Sequence, residues 1–123
     1  MSIFGHFNSQ YDGNKITFPA ESFLIAGISH YQQNLVNIDF DSELILKLEP
    51  DNKYDNTAIQ ILFNDKCIGY VPKDTTIKTI CINNIDSKLK IINIKRVSEN
   101  GNYGIRVISS IYYTDELKNI GIF

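Results

Sequence analysis

Tryptophan is absent from this chain of 123 residues, and cysteine, methionine and proline occur only twice, once and three times. The cysteines, Cys67 and Cys81, do not form a Cys-x-x-Cys pair, and only His6 and His30 are available as histidine ligands beside them. A zinc site is therefore not expected. Both cysteines lie among apolar residues and are predicted to be small buried thiols. We expect neither a metal nor another cofactor.

Long apolar runs are also missing. No stretch reaches the roughly 18 apolar residues that a membrane span requires. The opening MSIFGHFNSQ has neither the basic region nor the long apolar core of a secretory signal. The sequence therefore predicts a cytoplasmic protein without a membrane partner.

Charge of one sign is not in large excess. Twelve Lys and Arg residues stand against 14 Asp and Glu, which gives a formal net charge of −2. The chain as a whole does not attract nucleic acid electrostatically. Lys15 is the only basic residue before Lys47, so a polyanion would prefer the later part of the chain.

Motifs of common enzyme classes are missing as well. The chain has no Gly-x-x-x-x-Gly-Lys phosphate loop and no Gly-x-Ser-x-Gly nucleophile elbow. Asp51 and Asp55 could pair for metal binding or acid–base chemistry, but only Glu49 stands near them as a third acid and no histidine does. We therefore expect no enzymatic activity.

What the sequence does have is a succession of short apolar segments separated by turn residues. With a mass of 14.0 kDa, the chain is long enough for one compact domain. Six segments alternate or stay apolar as β-strands do. They cover residues 23–29, 42–49, 57–63, 66–71, 88–97 and 103–113. This pattern predicts a mainly β fold with one or two short helices, arranged as a small, partly open barrel or curled sheet.

Finer signals place the turns and a helix between these strands. Asn64-Asp65 predicts a two-residue hairpin turn, and residues 30–34 and 99–102 predict polar turns. Apolar residues from Ile77 to Ile85 recur at helical spacing, with Asp74 or Thr75 as the N-cap.

Alternation also predicts which side chains share a face of a strand. Leu44, Leu46 and Leu48 should lie together, and so should Leu89 with Ile91, opposite Ile92 and Ile94. Residues 1–22 are predicted to be an N-terminal extension, in which 3–7 and 15–18 form a hairpin packed on the barrel. Residues 23–113 form the barrel, and 114–123 form a C-terminal tail.

The loop before the third predicted strand is unusually polar. The stretch EPDNKYDNTAIQIL, residues 49–62, places Asn52, Tyr54 and Asp55 between two strands. One interpretation is a plain turn, because Asn and Asp bond their own backbone and tolerate left-handed conformations. The other interpretation is a binding pocket. Composition alone favours the turn.

Three short segments together resemble the signature of a known family. They are Ala26-Gly-Ile followed by His30-Tyr31, then Leu46-Lys-Leu-Glu-Pro-Asp-Asn-Lys-Tyr-Asp-Asn-Thr-Ala-Ile, then Ile68-Gly-Tyr-Val-Pro-Lys. Their order and spacing are similar to those of the HIRAN domain, a module of helicase-like transcription factors and chromatin-remodelling ATPases that also occurs as a free-standing protein. The resemblance spans residues 23–113.

This resemblance implies a fold and a ligand. The fold would be an OB-like six-stranded β-barrel, and the function would be non-catalytic recognition of single-stranded DNA at its 3′-hydroxyl end, in DNA repair or processing with a DNA-processing partner protein. By position, Tyr54 would stack on the terminal base, Asp55 would accept a hydrogen bond from the 3′-hydroxyl, and Lys73 would meet a phosphate. The other DNA-binding candidates are Asn52, Tyr70, His30, Tyr31 and Tyr103. Tyr54, Asp55, Tyr70 and Lys73 should then line one exposed groove.

One position departs from the family pattern. Where helicase-like members have Arg followed by Tyr, this chain has Ser29 and His30. A phosphate-binding cation is missing there, and imidazole replaces a stacking ring. The departure and the net negative charge favour an alternative, a protein- or peptide-interaction barrel that keeps the fold without binding DNA.

Overall fold

Six antiparallel strands form one sheet that curls into a half-barrel, in the computed structural model that describes residues 11, 12, 15–96 and 101–119. In spatial order the sheet runs β3-β8-β7-β4-β5-β6. A separate two-stranded pair precedes it. The strands are β1 (Tyr11–Asp12), β2 (Lys15–Ile16), β3 (Phe23–Leu24), β4 (Glu43–Leu48), β5 (Ile59–Phe63), β6 (Lys66–Tyr70), β7 (Leu89–Arg96) and β8 (Tyr103–Ser109).

Helices fill the gaps between the strands. The α-helix α1 covers Thr75–Asn83, and 3₁₀ segments cover Ile28–Leu35, Ser110–Tyr112 and Asp115–Asn119. The predicted mainly β, OB-like, six-stranded fold is confirmed. None of the helices in the described ranges is long and apolar enough to cross a membrane.

A seam closes the curled sheet between its two outer strands. Just after β3, the Ala26 N–H donates to the Tyr70 carbonyl at 2.8 Å, and the Tyr70 N–H donates to the Ala26 carbonyl at 2.9 Å. This single antiparallel bridge lies where β6 ends. We call the Ala26–Tyr70 bridge the seam; it brings the chain after β3 against the end of β6.

The core consists almost entirely of aliphatic side chains. Burying each of them contributes roughly 1.5–3 kcal/mol relative to leaving it in water. Alternation on β5 turns every second residue inward, as a half-buried strand requires. The fully buried members of the core cluster include Leu44, Ile59, Ile61, Ile68, Leu89, Ile105 and Val107.

Several local predictions are confirmed. Asn64 and Asp65 have φ values of 52° and 65° between β5 and β6, and two positive φ values are what a tight hairpin turn of this type needs. α1 occupies the predicted position, and Asp74 is its N-cap because its carboxylate accepts from the Ile77 N–H at 2.9 Å.

The region after β3 differs from the prediction. A strand over 23–29 with a polar turn at 30–34 is wrong, because the regular strand ends at Leu24 and Ile28–Leu35 is a 3₁₀ segment. Gly27 reverses the chain with a φ of 72°, and Ile28 and Leu35 then bury their side chains in the core. The tertiary burial of these two residues overrides the polar composition between them.

The predicted alternation is seen on β4 and is reset by a bulge on β7. Leu44 and Leu46 are buried, with exposed residues between and beside them, and Leu48, the last residue of β4, is 49% exposed. On β7 the register shifts between Ile91 and Asn93, and Ile94, predicted opposite Leu89 and Ile91, packs against the same core cluster as they do. A bulge of this kind adds one residue to a strand and resets its alternation.

The last strand and the cysteines need smaller corrections. β8 stops at Ser109, whose hydroxyl accepts from the Ile111 N–H at 3.5 Å and begins a 3₁₀ turn instead of continuing to 113. Cys81 is fully buried as predicted, and burial raises the pKa of its thiol to about 11. Cys67 is only half-buried.

Parts of two turn predictions lie outside the described residues. β1 and β2 pair over Tyr11–Asp12 and Lys15–Ile16, but residues 3–7, the predicted partner of 15–18, are not among those described. Residues 99 and 100 of the turn predicted at 99–102 are outside them too, as is residue 97 at the end of the predicted strand 88–97.

Gly69 allows the close approach at the seam, and its replacement should be costly. Its φ is 150°, and a Cβ there would press on Ile25 Cγ2 and lie 2.7 Å from the Ala26 carbonyl oxygen. We expect Gly69→Ala to lower the free energy of unfolding, measured by urea denaturation, by about 3 kcal/mol or more.

Gly27→Ala is the matched control for that variant. Gly27 also has a positive φ, but a Cβ there would meet nothing within 4 Å. In Gly27→Ala the free energy of unfolding should therefore fall by only about 1–2 kcal/mol, which is the strain of a left-handed backbone at a residue with a Cβ. Equal losses for the two variants would show that the approach at the seam is not tight.

Candidate functional site

A pocket of about 430 Å³ lies between the seam and the loop after β4. We call residues 49–58 the β4–β5 loop. The pocket wall is mostly apolar, with polar groups entering from the loop and from the segment before α1. Its lining residues are Ala26, Gly27, Tyr31, Asn52, Tyr54, Asp55, Ala58, Tyr70, Val71, Pro72 and Lys73.

Asn52 organises the β4–β5 loop from within. Its side-chain oxygen accepts from the backbone N–H groups of Tyr54 and Asp55, at 2.9 and 3.0 Å. Its side-chain nitrogen donates to Glu49 Oε1 at 2.6 Å. The Glu49 N–H donates to the Ala58 carbonyl at 2.9 Å and closes the loop at its base. The turn chemistry expected of Asn is therefore present, and it shapes one wall of the pocket.

Tyr54 lines the pocket and is nevertheless 92% exposed. Its backbone is held by Asn52, while its hydroxyl has no hydrogen-bond partner among the residues that the structure describes. A large aromatic side chain in this state adds no burial to the core. Its ring is available to stack on a ligand.

Asp55 is the most constrained charged group of the pocket. Its Oδ1 accepts from the Thr57 N–H at 2.9 Å and from the Thr57 hydroxyl at 2.5 Å. Its Oδ2 accepts from Lys78 Nζ at 2.8 Å. The bond from Lys78, followed by those from Thr57, holds the pKa of the Asp55 carboxyl well below its usual range. The group is a carboxylate at any pH near neutrality.

Two phenols, Tyr31 and Tyr70, line the pocket near the seam, and one of them bonds a carboxylate outside the lining. The Tyr70 hydroxyl donates to Glu49 Oε1 at 2.9 Å. Burial, and then this bond to Glu49, raise the pKa of Tyr70. Burial, and then the neighbouring Cys67, raise that of Tyr31. Both phenols therefore remain neutral and able to donate hydrogen bonds.

Lys73 supplies a positive charge at the pocket mouth. It directly precedes Asp74, the N-cap of α1, and its side chain is exposed. Within the described ranges its ammonium makes no ion pair. Its charge is therefore available to an anionic ligand.

Six of the eight sequence-predicted site residues line this one pocket, and two do not. His30 is exposed in the Ile28–Leu35 segment, away from the lining. Tyr103 is exposed at the start of β8, where Gln32 holds its backbone by accepting from its N–H at 2.8 Å and donating to its carbonyl at 3.0 Å. Roles for His30 and Tyr103 stay predictions.

Sequence reasoning missed two residues that organise the pocket. Glu49 links Asn52 to Tyr70, and Lys78 contacts Asp55 from α1. Lys78 had one visible signal, since it is the only charged residue within α1. Its partner is 23 positions away in the sequence, and no local pattern connects them.

Comparison with protein families decides where the chain belongs. A family model described as the HIRAN domain matches residues 21–112, well over half of the chain. The chain belongs to the HIRAN domain family. The resemblance seen in the sequence is thereby confirmed. HIRAN domains are generally DNA-binding modules and generally non-catalytic. No curated protein and no solved structure matched the chain.

Removing the Asn52 side chain should loosen this loop. Asn52→Ala leaves the N–H groups of Tyr54 and Asp55 without their acceptor and Glu49 without one donor. Unpaired half-buried groups of this kind cost about 1–3 kcal/mol, so the free energy of unfolding from urea denaturation should fall by about that amount.

The control for Asn52→Ala lies in the same loop. Asn56 is exposed and has no side-chain hydrogen bond among the described residues. Asn56→Ala should change the free energy of unfolding by no more than about 0.5 kcal/mol. Equal effects of the two variants would contradict an organising role for Asn52.

Proposed function

We propose that this HIRAN domain binds single-stranded DNA at its 3′-hydroxyl end, in the pocket between the seam and the β4–β5 loop. The observation that carries the proposal is the convergence of an exposed aromatic, Tyr54, an ionised acceptor, Asp55, and a cation, Lys73, on one pocket. Its volume of about 430 Å³ lies in the range of small-ligand sites, so a terminal nucleotide fits it and a duplex does not.

Tyr54 provides the stacking surface for a base. Because every base has a π-face, stacking on an aromatic ring binds any sequence and contributes about 1–3 kcal/mol per base. Asn52 holds the backbone of Tyr54 before the ligand arrives. Less conformational freedom is then lost on binding.

Asp55 discriminates a free end from a continuous strand. A carboxylate has about four lone-pair sites, and the Thr57 N–H, the Thr57 hydroxyl and Lys78 occupy three of them. The remaining site accepts a hydrogen bond from a 3′-hydroxyl. A phosphodiester has no proton to donate and brings a negative charge towards the carboxylate, so it is disfavoured.

Lys73 would contact a backbone phosphate near the end. A single phosphate contact gives a weak dependence of affinity on salt, with a slope of about −0.7 for a single strand when the logarithm of the binding constant is plotted against that of the salt concentration. With a net charge of −2, the rest of the chain adds little general attraction for DNA. The proposed binding is therefore selective for ends rather than tight along the strand.

A role in DNA repair or processing follows from this ligand. Free 3′ ends of single strands are the sites at which DNA is extended, trimmed or joined. A module that holds such an end without acting on it serves by delivering it to a DNA-processing protein, which would be its partner.

Fluorescence anisotropy with two otherwise identical oligonucleotides tests the proposal. One ends in a 3′-hydroxyl and the other in a 3′-phosphate, and both are titrated with the protein at low salt. We expect tighter binding of the hydroxyl end. Equal affinities would overturn end recognition, and the absence of binding to either would favour the protein- or peptide-interaction alternative.

Asp55→Asn tests the discriminating group. The amide keeps the shape of the side chain but lacks the charge that makes the bond to the hydroxyl strong, so the preference for the hydroxyl end should disappear. Asp51→Asn is the matched control: Asp51 is exposed in the same loop and does not line the pocket. A retained preference in Asp55→Asn would contradict the assignment.

Tyr54→Ala tests the stacking surface. Affinity should fall about 5- to 150-fold, corresponding to 1–3 kcal/mol, and equally for both oligonucleotides, because stacking does not sense the terminal group. Tyr112→Ala removes an exposed tyrosine outside the pocket and should leave both affinities unchanged. Equal effects of the two variants would exclude a specific role for Tyr54.

A further inference from the structure

The contact between Lys78 and Asp55 is unlike the other ion pairs of the described residues. Its side chains are 14% and 22% exposed, whereas Lys88 and Glu43, for example, are 56% and 44% exposed. Pairs as exposed as the latter contribute little to stability. In the Lys78–Asp55 pair, Asp55 lines the pocket and Lys78 contacts it from α1.

Lys78 is part of a closed triangle of hydrogen bonds. Its ammonium donates to Asp55 Oδ2 at 2.8 Å and to the Thr57 hydroxyl oxygen at 2.8 Å. The same hydroxyl donates to Asp55 Oδ1 at 2.5 Å. Each carboxylate oxygen of Asp55 is therefore held by a hydrogen bond, and the side chain has one orientation.

We propose that Lys78 is the positioning residue of the pocket, which fixes Asp55 as an oriented carboxylate with one free lone pair on Oδ2 for the terminal hydroxyl. This inference rests on the proposed end-binding function. Lys78 does not line the pocket, so it acts on the ligand only through Asp55.

The charges around Asp55 show what Lys78 changes. Among the lining residues Asp55 is the one acid and Lys73 the one base, and Lys78 pairs with Asp55 from α1 at 2.8 Å. Without Lys78 the charge of Asp55 has no contacting cation among the described residues, and it would repel the DNA phosphates more strongly. The other titratable groups of the lining are the phenols of Tyr31, Tyr54 and Tyr70.

The pH dependence of end recognition follows with a definite sign. In the native protein the Asp55 pKa is held below its ordinary value near 3.9, so the hydroxyl preference should stay constant as the pH falls from 7 to about 4.5. Without Lys78 the largest cause of that lowering is gone, whereas the bonds from Thr57 still lower the pKa and burial raises it. The carboxyl should then protonate at a higher pH than in the native protein, and the hydroxyl preference should begin to fall at a correspondingly higher pH.

The experiment compares the native chain with Lys78→Met by two measurements. The first is the ratio of affinities for 3′-hydroxyl and 3′-O-methyl oligonucleotides between pH 7 and 4.5, because a terminal phosphate would itself take up a proton at about pH 6. The second is the titration of the Asp55 carboxyl carbon by ¹³C NMR without DNA. We expect Lys78→Met to reduce the affinity ratio at least fivefold and to raise the titration midpoint by at least one pH unit.

Lys66→Met is the control for the loss of one positive charge. Lys66 is exposed at the far end of β6, about 13 Å along the strand from Tyr70. It should leave the affinity ratio and the titration unchanged. If Lys78→Met does not fold, Lys78→Gln, which keeps a hydrogen-bond donor but no charge, replaces it with the same expected directions.

The outcomes separate this inference from the function on which it rests. If the native chain shows no hydroxyl preference, the proposed function fails, whatever the variants do. If it shows the preference and Lys78→Met keeps it with an unchanged pH dependence and carboxyl titration, Lys78 is not a positioning residue. A change in the titration without a change in the affinity ratio also overturns the inference, because Asp55 would then not need Lys78 to recognise the end.

Discussion

The two hydrogen bonds of the seam, between Ala26 and Tyr70, hold together the parts of the chain from which the pocket is built. They join the segment after β3 to the end of β6, which are the two ends of the six-stranded order. Through this closure Gly27 and Tyr31 become neighbours of Tyr70 to Lys73, and the Asn34 side-chain amide supports it by donating to the Cys67 carbonyl at 2.8 Å. The close backbone approach explains why position 69 carries no side chain.

From the seam, one continuous hydrogen-bonded path runs to the tip of the β4–β5 loop. The Tyr70 hydroxyl bonds Glu49, Glu49 bonds Asn52, and Asn52 bonds the backbone of Tyr54 and Asp55. Lys78 fixes the far side of the same loop from α1. Barrel closure and pocket shape are therefore not independent, and a change that opens the seam should also displace Tyr54.

The sequence predicted those features whose cause is local. The strands follow from the alternation of apolar and polar residues. The hairpin turn follows from Asn64, because Asn tolerates the positive φ that the turn requires. The helix start follows from Asp74, because its carboxylate can accept a hydrogen bond from a backbone N–H of the first turn. The 3₁₀ segment after Gly27 and the bulge on β7 were missed because each depends on burial against elements distant in sequence. The Lys78–Asp55 pair was missed for the same reason. Six pocket residues were found because family motifs, unlike periodicity, preserve tertiary neighbours.

The turn and the pocket, which the sequence presents as alternatives for the β4–β5 loop, are compatible in the structure. The side chains of Asn52 and Asp55 hydrogen-bond to the loop backbone, as those of turn residues do. These bonds orient Tyr54 outward and leave Asp55 with one open acceptor site.

Net charge and local charge are likewise compatible with the proposed function. Net charge describes attraction at long range, whereas recognition of an end depends on a few groups at contact distance.

Ser29 and His30 affect the proposed function less than their departure from the family pattern suggests. Both are exposed, and neither lines the pocket. Without an arginine there, Lys73 remains the one cation among the lining residues, so attraction along the DNA backbone is small. In the proposed function a ligand would then gain affinity chiefly from the terminal base on Tyr54 and the terminal hydroxyl on Asp55. Weak binding to continuous strands would increase the proposed preference for ends, because end binding is measured against that sequence-independent background.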